Sequence, residues 1–98
     1  MDWKSPKHQQ LIKAVLAIKT EAEARRFLRD LMTATEIEEY SKRLWAAEML
    51  AVKTPYSTIE QVTGLSSTTV ARVAKWLNGP GGGYRVVISR LHHHGAPQ

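Results

Sequence analysis

Cysteine is absent from this 98-residue chain, which excludes a disulfide framework, a zinc ribbon and thiol catalysis. Long apolar runs are absent too, since no stretch approaches the roughly 20 residues that a membrane-spanning helix needs. The opening residues 1–4 also lack the apolar segment of a secretory signal. We therefore expect a cytoplasmic protein with no membrane partner.

Acidic side chains are missing from the C-terminal part of the chain. Residues 1–60 hold ten Lys or Arg and nine Asp or Glu, a formal charge of +1, whereas residues 61–98 hold four basic and no acidic residues, a charge of +4. A basic segment without carboxylates suits a polyanion such as nucleic acid, and an ordinary basic surface would show the same balance. Charge alone therefore leaves both interpretations open.

Apolar residues recur at helical spacing along most of the chain, without a convincing strand. Helix starts are marked by Ser5-Pro6 and by capping boxes that pair Thr20 with Glu23 and Thr33 with Glu36. The pattern predicts an all-α fold of about six helices. We expect a single domain over residues 1–98, with a flexible tail at 92–98.

The third predicted helix, from Thr33 to about Lys53, is apolar on two sides. One row contains Ile37, Tyr40, Leu44, Ala47 and Ala51, and the other contains Trp45, Met49 and Val52. A helix with two apolar sides must be covered twice, and a small chain has few elements with which to do so. We interpret this helix as the core of a homodimer; the other helices of the same chain are the alternative cover.

Residues 56–77 have the pattern of a helix-turn-helix, in which a tight turn containing glycine joins two helices. A capping box at Ser57 and Glu60 predicts the start of the first helix, and Gly64 its end. Ser66 or Ser67 then caps a second helix that ends near residue 77.

The motif requires apolar residues at fixed offsets from the turn glycine. Four such positions are filled, by Ile59, Leu65, Val70 and Val73. Two positions depart from the pattern, because Glu60 stands where a small residue is usual and Thr63 where an apolar one is usual.

The second helix of this motif has two contrasting faces. Val70, Val73, Ala74 and Leu77 share one face, and Thr68, Ala71, Arg72 and Lys75 share the opposite one. Small polar side chains near the start and cations further on suit a helix whose N-terminal end enters the major groove. The candidate DNA contacts are Ser57, Ser66, Ser67, Thr68, Thr69, Arg72 and Lys75; a solvated helix face is the alternative.

The run GLSSTTVARVAKWLNG at residues 64–79, followed by Gly82-Gly83-Tyr84-Arg85, resembles the Trp-repressor-like family of the YerC/YecD type. The stretches 28–36 and 43–47 resemble the same family, so that the likeness covers about residues 6–91. The resemblance implies a Trp-repressor-like intertwined homodimer. It also implies a transcriptional regulator that acts as a repressor and binds double-stranded DNA with sequence specificity.

The resemblance also locates a possible ligand pocket, because two arginines in the Trp repressor embrace a bound tryptophan. The matching positions here are Arg43 and Arg72, but the glycine that leaves room for the indole ring is Val73. This β-branched side chain should obstruct the ring, and Trp45 is a second candidate to fill the space. We therefore expect no cofactor and no tryptophan co-repressor.

No residue pattern indicates catalysis or a metal site, so we do not expect an enzyme. His92-His93-His94 stand in a polar tail, and the glycine-rich stretch 79–83 lacks the Lys-Ser/Thr of a phosphate loop. Two alternatives to a DNA-binding regulator stay open. One is a protein-interaction module, and the other is a small-molecule-sensing regulator that uses an Arg43/Arg72 pocket.

Overall fold

The computed structural model describes residues 1–94, and within them it contains six helices and no strand. The helices are α1 Pro6–Ala17, α2 Glu21–Leu31, α3 Ala34–Ala51, α4 Tyr56–Thr63, α5 Ser67–Asn78 and α6 Gly83–His94. The predicted all-α fold is confirmed. The last helix ends at His94, so residues 92–94 of the predicted flexible tail are helical, and positions 95–98 lie outside the described residues.

The contacts within the chain divide it into two compact units, residues 1–37 and 38–98. The first unit contains α1, α2 and the first residues of α3, and no residue of α1 or α2 is buried. On α1 the exposed apolar side chains are Leu11, Ile12, Val15 and Leu16, which are 43–77% exposed. Within a single chain, neither α1 nor α2 therefore contributes a buried residue to a core.

The second unit has a core where α3, α4, α5 and α6 contribute to one buried cluster. Its members are Ala46, Ala47, Ile59, Leu65, Val70, Val73, Leu77 and Ile88. Ile59 and Val70 are the largest side chains that are fully buried, and each such burial contributes about 1.5–3 kcal/mol. The four apolar positions predicted around the turn glycine all lie in this cluster, which confirms that part of the motif.

The helix starts follow the predicted caps in two of three capping boxes. Thr20 Oγ1 accepts from Glu23 N at 3.1 Å, and Thr33 Oγ1 accepts from Glu36 N at 3.1 Å while the Glu36 carboxylate accepts from Thr33 N at 2.9 Å. The predicted box at Ser57 is wrong. Pro55 occupies the N-cap position of α4 without a side-chain cap bond, because its extended backbone already starts the helix at residue 56 and leaves Ser57 inside the first turn.

Helix α3 is covered on one side only within the second unit. Ala46 and Ala47 are fully buried, and Leu44 and Met49 pack against the core. The second predicted row is therefore divided, because Met49 packs against the core whereas Trp45 and Val52 are 48% and 65% exposed. The helix ends at Ala51, and Lys53 then takes a left-handed φ of 66° as Thr54 N donates to Met49 O at 3.0 Å.

Thr63 explains one departure from the helix-turn-helix pattern. Its side chain is buried at a position where an apolar residue is usual, but its hydroxyl is fully engaged. Thr63 Oγ1 donates to Ile59 O at 2.7 Å and accepts from Leu65 N at 3.2 Å. The hydroxyl thereby ties the last turn of α4 to the first residue after the turn glycine.

Replacing Thr63 by Val should destabilise the protein although valine fits the usual pattern. The change keeps the shape of the side chain but leaves the buried Leu65 N–H without its partner, which costs about 1–3 kcal/mol. Urea unfolding followed by circular dichroism measures the difference. Thr58→Val, at an exposed position of α4, is the control and should change stability by less than about 0.5 kcal/mol; equal stability of the two variants would contradict the role of the hydroxyl.

Candidate nucleic-acid interface

The turn between α4 and α5 depends on the backbone freedom of Gly64. Its φ of 76° and ψ of 5° are left-handed, and its N–H donates to Glu60 O at 2.9 Å to close α4. A Cβ at this position would meet no atom within 4 Å, so the glycine is required by its backbone angle and not by lack of space. The turn lets the chain change direction within three residues, 64–66.

Ser66 starts α5 as its N-cap residue. Its Oγ accepts from Thr69 N at 3.2 Å and donates to Thr69 Oγ1 at 3.0 Å. The cap satisfies one of the free N–H groups at the helix start. The hydroxyls of Ser66 and Thr69, both among the predicted DNA contacts, are thus engaged with each other.

Helix α5 presents one polar face to solvent, opposite its buried stripe. The buried residues are Val70, Val73, Ala74 and Leu77. We name the exposed residues on the other side the reading face, which consists of Thr68, Ala71, Arg72 and Lys75. Their spacing of three and four residues places them on adjacent turns of one helix face. The sequence-based division of α5 into two faces is confirmed.

The two cations of the reading face have no acidic partner within the described chain. The ion pair found in residues 1–94 lies on α2, where it joins Arg25 to Glu21. Residues 61–98 contain no Asp or Glu. Arg72 and Lys75 are exposed. Their charges are therefore free to meet an anion without breaking an internal ion pair.

The remaining predicted contacts lie outside the reading face. Ser67 is exposed in the first turn of α5, and Ser57 is exposed in the first turn of α4. Thr69 is half-buried on the flank of α5. The helix-turn-helix therefore gathers Thr68, Arg72 and Lys75 on one face, whereas Ser57 and Thr69 lie apart from it.

A small cavity lies on the flank of α5, and we name it the arginine cavity. It is lined by Arg43, Thr69, Arg72, Val73, Trp76 and Tyr84, and its volume is about 80 Å³. The two arginines that the sequence placed together thus line one cavity. Val73 is only 3% exposed and forms part of its wall, as the sequence indicated.

Arg43 is held on the far side of this cavity by α3. Its guanidinium lies 5.3 Å from the centre of the Tyr40 ring, a cation–π distance, and its Nε is buried without a hydrogen-bond partner. The prediction that Trp45 fills this space is wrong, because Trp45 is not among the lining residues and is largely exposed. Its side chain leaves α3 in a different direction from that of Arg43, two residues earlier.

Sequence reasoning missed Trp76 and Tyr84 as members of the cavity wall. Trp76 follows Arg72 by four residues, so helical spacing was a usable signal for it. Tyr84 comes from α6 and joins the cavity through tertiary packing, for which the sequence gives no local signal.

Residues 1–94 contain neither a metal-binding cluster of side chains nor a membrane-spanning helix. Within that range no group of three or more His, Cys, Asp or Glu side chains is placed to hold a metal ion. No helix there combines the length and apolar character needed to cross a bilayer. The side chains of His93 and His94 are outside the described part of the structure.

Comparison with known proteins places this geometry among Trp-repressor-like structures. The family model for Trp repressor protein matches residues 6–92. The chain is 37% identical over 82 residues to the uncharacterized protein YerC of Bacillus subtilis (strain 168), which covers 84% of this chain and 79% of that protein.

Two solved structures share the fold. A TrpR-like protein from Eubacterium eligens ATCC 27750 has a TM-score of 0.85 and 37% identity, with 91% of this chain and 92% of that chain covered. A putative Trp repressor from Staphylococcus aureus has a TM-score of 0.84 and 31% identity, with 93% and 94% covered.

Proposed function

Because the chain belongs to the Trp repressor family and is similar to its YerC-type members, we propose that it is a cytoplasmic transcriptional repressor that binds double-stranded DNA as a homodimer. The reading face is the observation that carries this proposal. It presents two unpaired cations and a threonine on a capped helix whose other side is fixed in the core. The family is one of regulators and not of enzymes.

The reading face divides its contacts between phosphates and base edges. Arg72 is suited to a guanine edge, which a guanidinium can bind through two hydrogen bonds, and Thr68 is short enough to reach a base from the start of α5. Lys75, a point charge on a flexible stem, is suited to a phosphate. In α4, Ser57 offers a hydroxyl to the backbone of the duplex.

The homodimer is supported by the apolar surface that one chain leaves open. Every helix in residues 1–94 exposes at least one large apolar side chain, for example Leu16, Leu31, Trp45, Val62, Trp76 and Val87. An apolar groove of about 580 Å³ also runs along Leu44, Trp76, Tyr84 and Val87. Surfaces of this extent are typical of association, and a second copy that interlocks with the first would cover them.

Two copies related by a twofold axis would present two α5 helices to one face of a duplex. Recognition helices of such dimers enter successive major grooves, about 34 Å apart. We therefore expect a palindromic operator with half-sites one helical turn apart.

Substitutions on the reading face should separate specific from general DNA binding. Arg72→Ala should lower affinity for a duplex selected from random sequences by about tenfold or more, whereas Lys75→Ala should weaken all duplexes alike and reduce the salt slope by about one unit. Fluorescence anisotropy titrations at several salt concentrations measure both.

Arg90→Ala removes an exposed cation from α6 and is the control for net charge. A double variant lacking Arg72 and Lys75 that binds DNA like the parent would overturn the assignment of the reading face. If the parent neither retards a duplex at low salt nor responds to salt, a protein-interaction module becomes the better description.

The oligomeric state should be a dimer that depends on α1. Light scattering should give twice the 11.0 kDa mass of the chain. Leu16→Glu places a charge on an apolar side chain that is 77% exposed in one chain, and it should shift the protein toward monomer because burying that charge is costly. Gln10→Glu, at an exposed position of the same helix, should leave the dimer intact; a monomeric parent would contradict the proposal.

Free tryptophan should not act as a co-repressor. The arginine cavity holds about 80 Å³, whereas a cavity of about 150 Å³ is of the size that binds benzene, and an indole ring is larger. Calorimetry should show no saturable heat with the parent chain. Val73→Gly enlarges the cavity and serves as the comparison; tight tryptophan binding by the parent would overturn this prediction.

One observation favours a second candidate function, the sensing of a small anionic ligand other than tryptophan. The buried, unpartnered Nε of Arg43 lies on a residue that shares a cavity with Arg72. An anion there would give Arg43 its missing acceptor. A set of small carboxylates and phosphates tested for a rise in melting temperature, which Arg43→Met abolishes, would support this function.

A further inference from the structure

The C-terminal end of α5 is held by a side chain from the next helix. Arg85, in the first turn of α6, donates from Nη1 to Leu77 O at 2.5 Å and to Gly79 O at 2.8 Å. Both carbonyls belong to the end of α5, where the last carbonyl groups lack partners within the helix and favour a cation. We name these two hydrogen bonds the Arg85 bridge.

The bridge crosses a segment that has little stiffness of its own. Residues 79–83 read Gly-Pro-Gly-Gly-Gly, and glycine-rich links behave as flexible chains. The bridge joins residues six and eight positions apart on either side of this link. The bridge therefore ties α5 to α6 across a connection whose glycine-rich sequence would otherwise allow it to act as a hinge.

Gly82 leaves room for the guanidinium of Arg85. Its φ is 75°, and a Cβ there would lie 3.3 Å from Arg85 Nη2, closer than ordinary contacts. The glycine thus meets two requirements, a left-handed backbone and room beside the bridge. A glycine at position 82 is therefore compatible with the Arg85 bridge, whereas a larger residue would crowd it.

Apolar packing between α5 and α6 does not by itself define the angle between these two helices. Leu77 and Ile88 share the buried cluster, but apolar burial is non-directional. Hydrogen bonds have defined distances and angles. A 12-residue helix is about 18 Å long, so a tilt of about 5° at its C-terminal end moves its N-terminal end by about 1.5 Å, enough to break base contacts.

We propose that Arg85 is a positioning residue that sets the angle of α5 from its C-terminal end and so determines how selectively the reading face binds DNA. This inference rests on the proposed function. Arg85 acts through the carbonyls of α5 and not through the duplex. Its loss should therefore reduce selectivity between duplexes more than general affinity for DNA.

Three variants test the bridge in the full-length protein. Arg85→Met removes the donors and keeps an unbranched apolar stem, Arg85→Lys keeps the charge with a single donor group, and Arg90→Met removes an equal charge elsewhere on α6. The readouts are affinity for a duplex selected by the parent, affinity for an unrelated duplex, and amide hydrogen exchange of residues 77–83.

Arg85→Met should lower affinity for the selected duplex by about tenfold or more. Its affinity for the unrelated duplex should fall no further than that of Arg90→Met. Amide exchange at residues 77–83 should become about tenfold faster. Arg85→Lys should recover part of both effects. Unchanged exchange, or equal losses on both duplexes that match Arg90→Met, would overturn the proposal. If the parent prefers no duplex, the proposed function fails, and the exchange rates alone then decide whether Arg85 fixes the end of α5.

Discussion

The burial of Ile59 and Val70 on either side of the Gly64 turn is the constraint on which the helix-turn-helix depends. Both side chains are fully buried, one from α4 and one from α5, so neither helix can rotate without exposing one of them. Gly64 supplies the left-handed backbone that allows this approach, and Thr63 pairs the polar groups beside it. Apolar burial thus fixes the rotation of α5 about its own axis, and the polar atoms of the turn define the residue at which the helix begins.

Once that rotation is fixed, the polar side of α5 must face solvent. Arg72 and Lys75 face solvent because Val73 and Leu77, on the same turns, face the core. A segment without carboxylates leaves those cations unpaired within the described chain. Under the proposed function, this surface is in place before DNA arrives, so that binding would require little reorganisation of the helix-turn-helix.

Local patterns predicted most of this arrangement, and contacts between distant residues account for what they missed. The four apolar positions around Gly64 follow from helical periodicity and turn chemistry, which neighbouring residues determine. The capping box at Ser57 failed because Pro55 sets the helix start without it. Tyr84 and Arg85 were missed since each reaches another helix across a glycine-rich link, and no spacing rule encodes such a contact.

The arginine cavity and the Arg85 bridge act on the same helix from different positions. In a ligand-controlled regulator, part of the orientation of the recognition helix is supplied by the bound ligand, and affinity falls when the ligand leaves. Here Val73 forms part of the cavity wall, and Arg85 holds the C-terminal end of α5 with two hydrogen bonds. A helix held by its own chain does not need a ligand to become ordered, so the small cavity and the bridge together support the proposal that DNA binding does not require tryptophan.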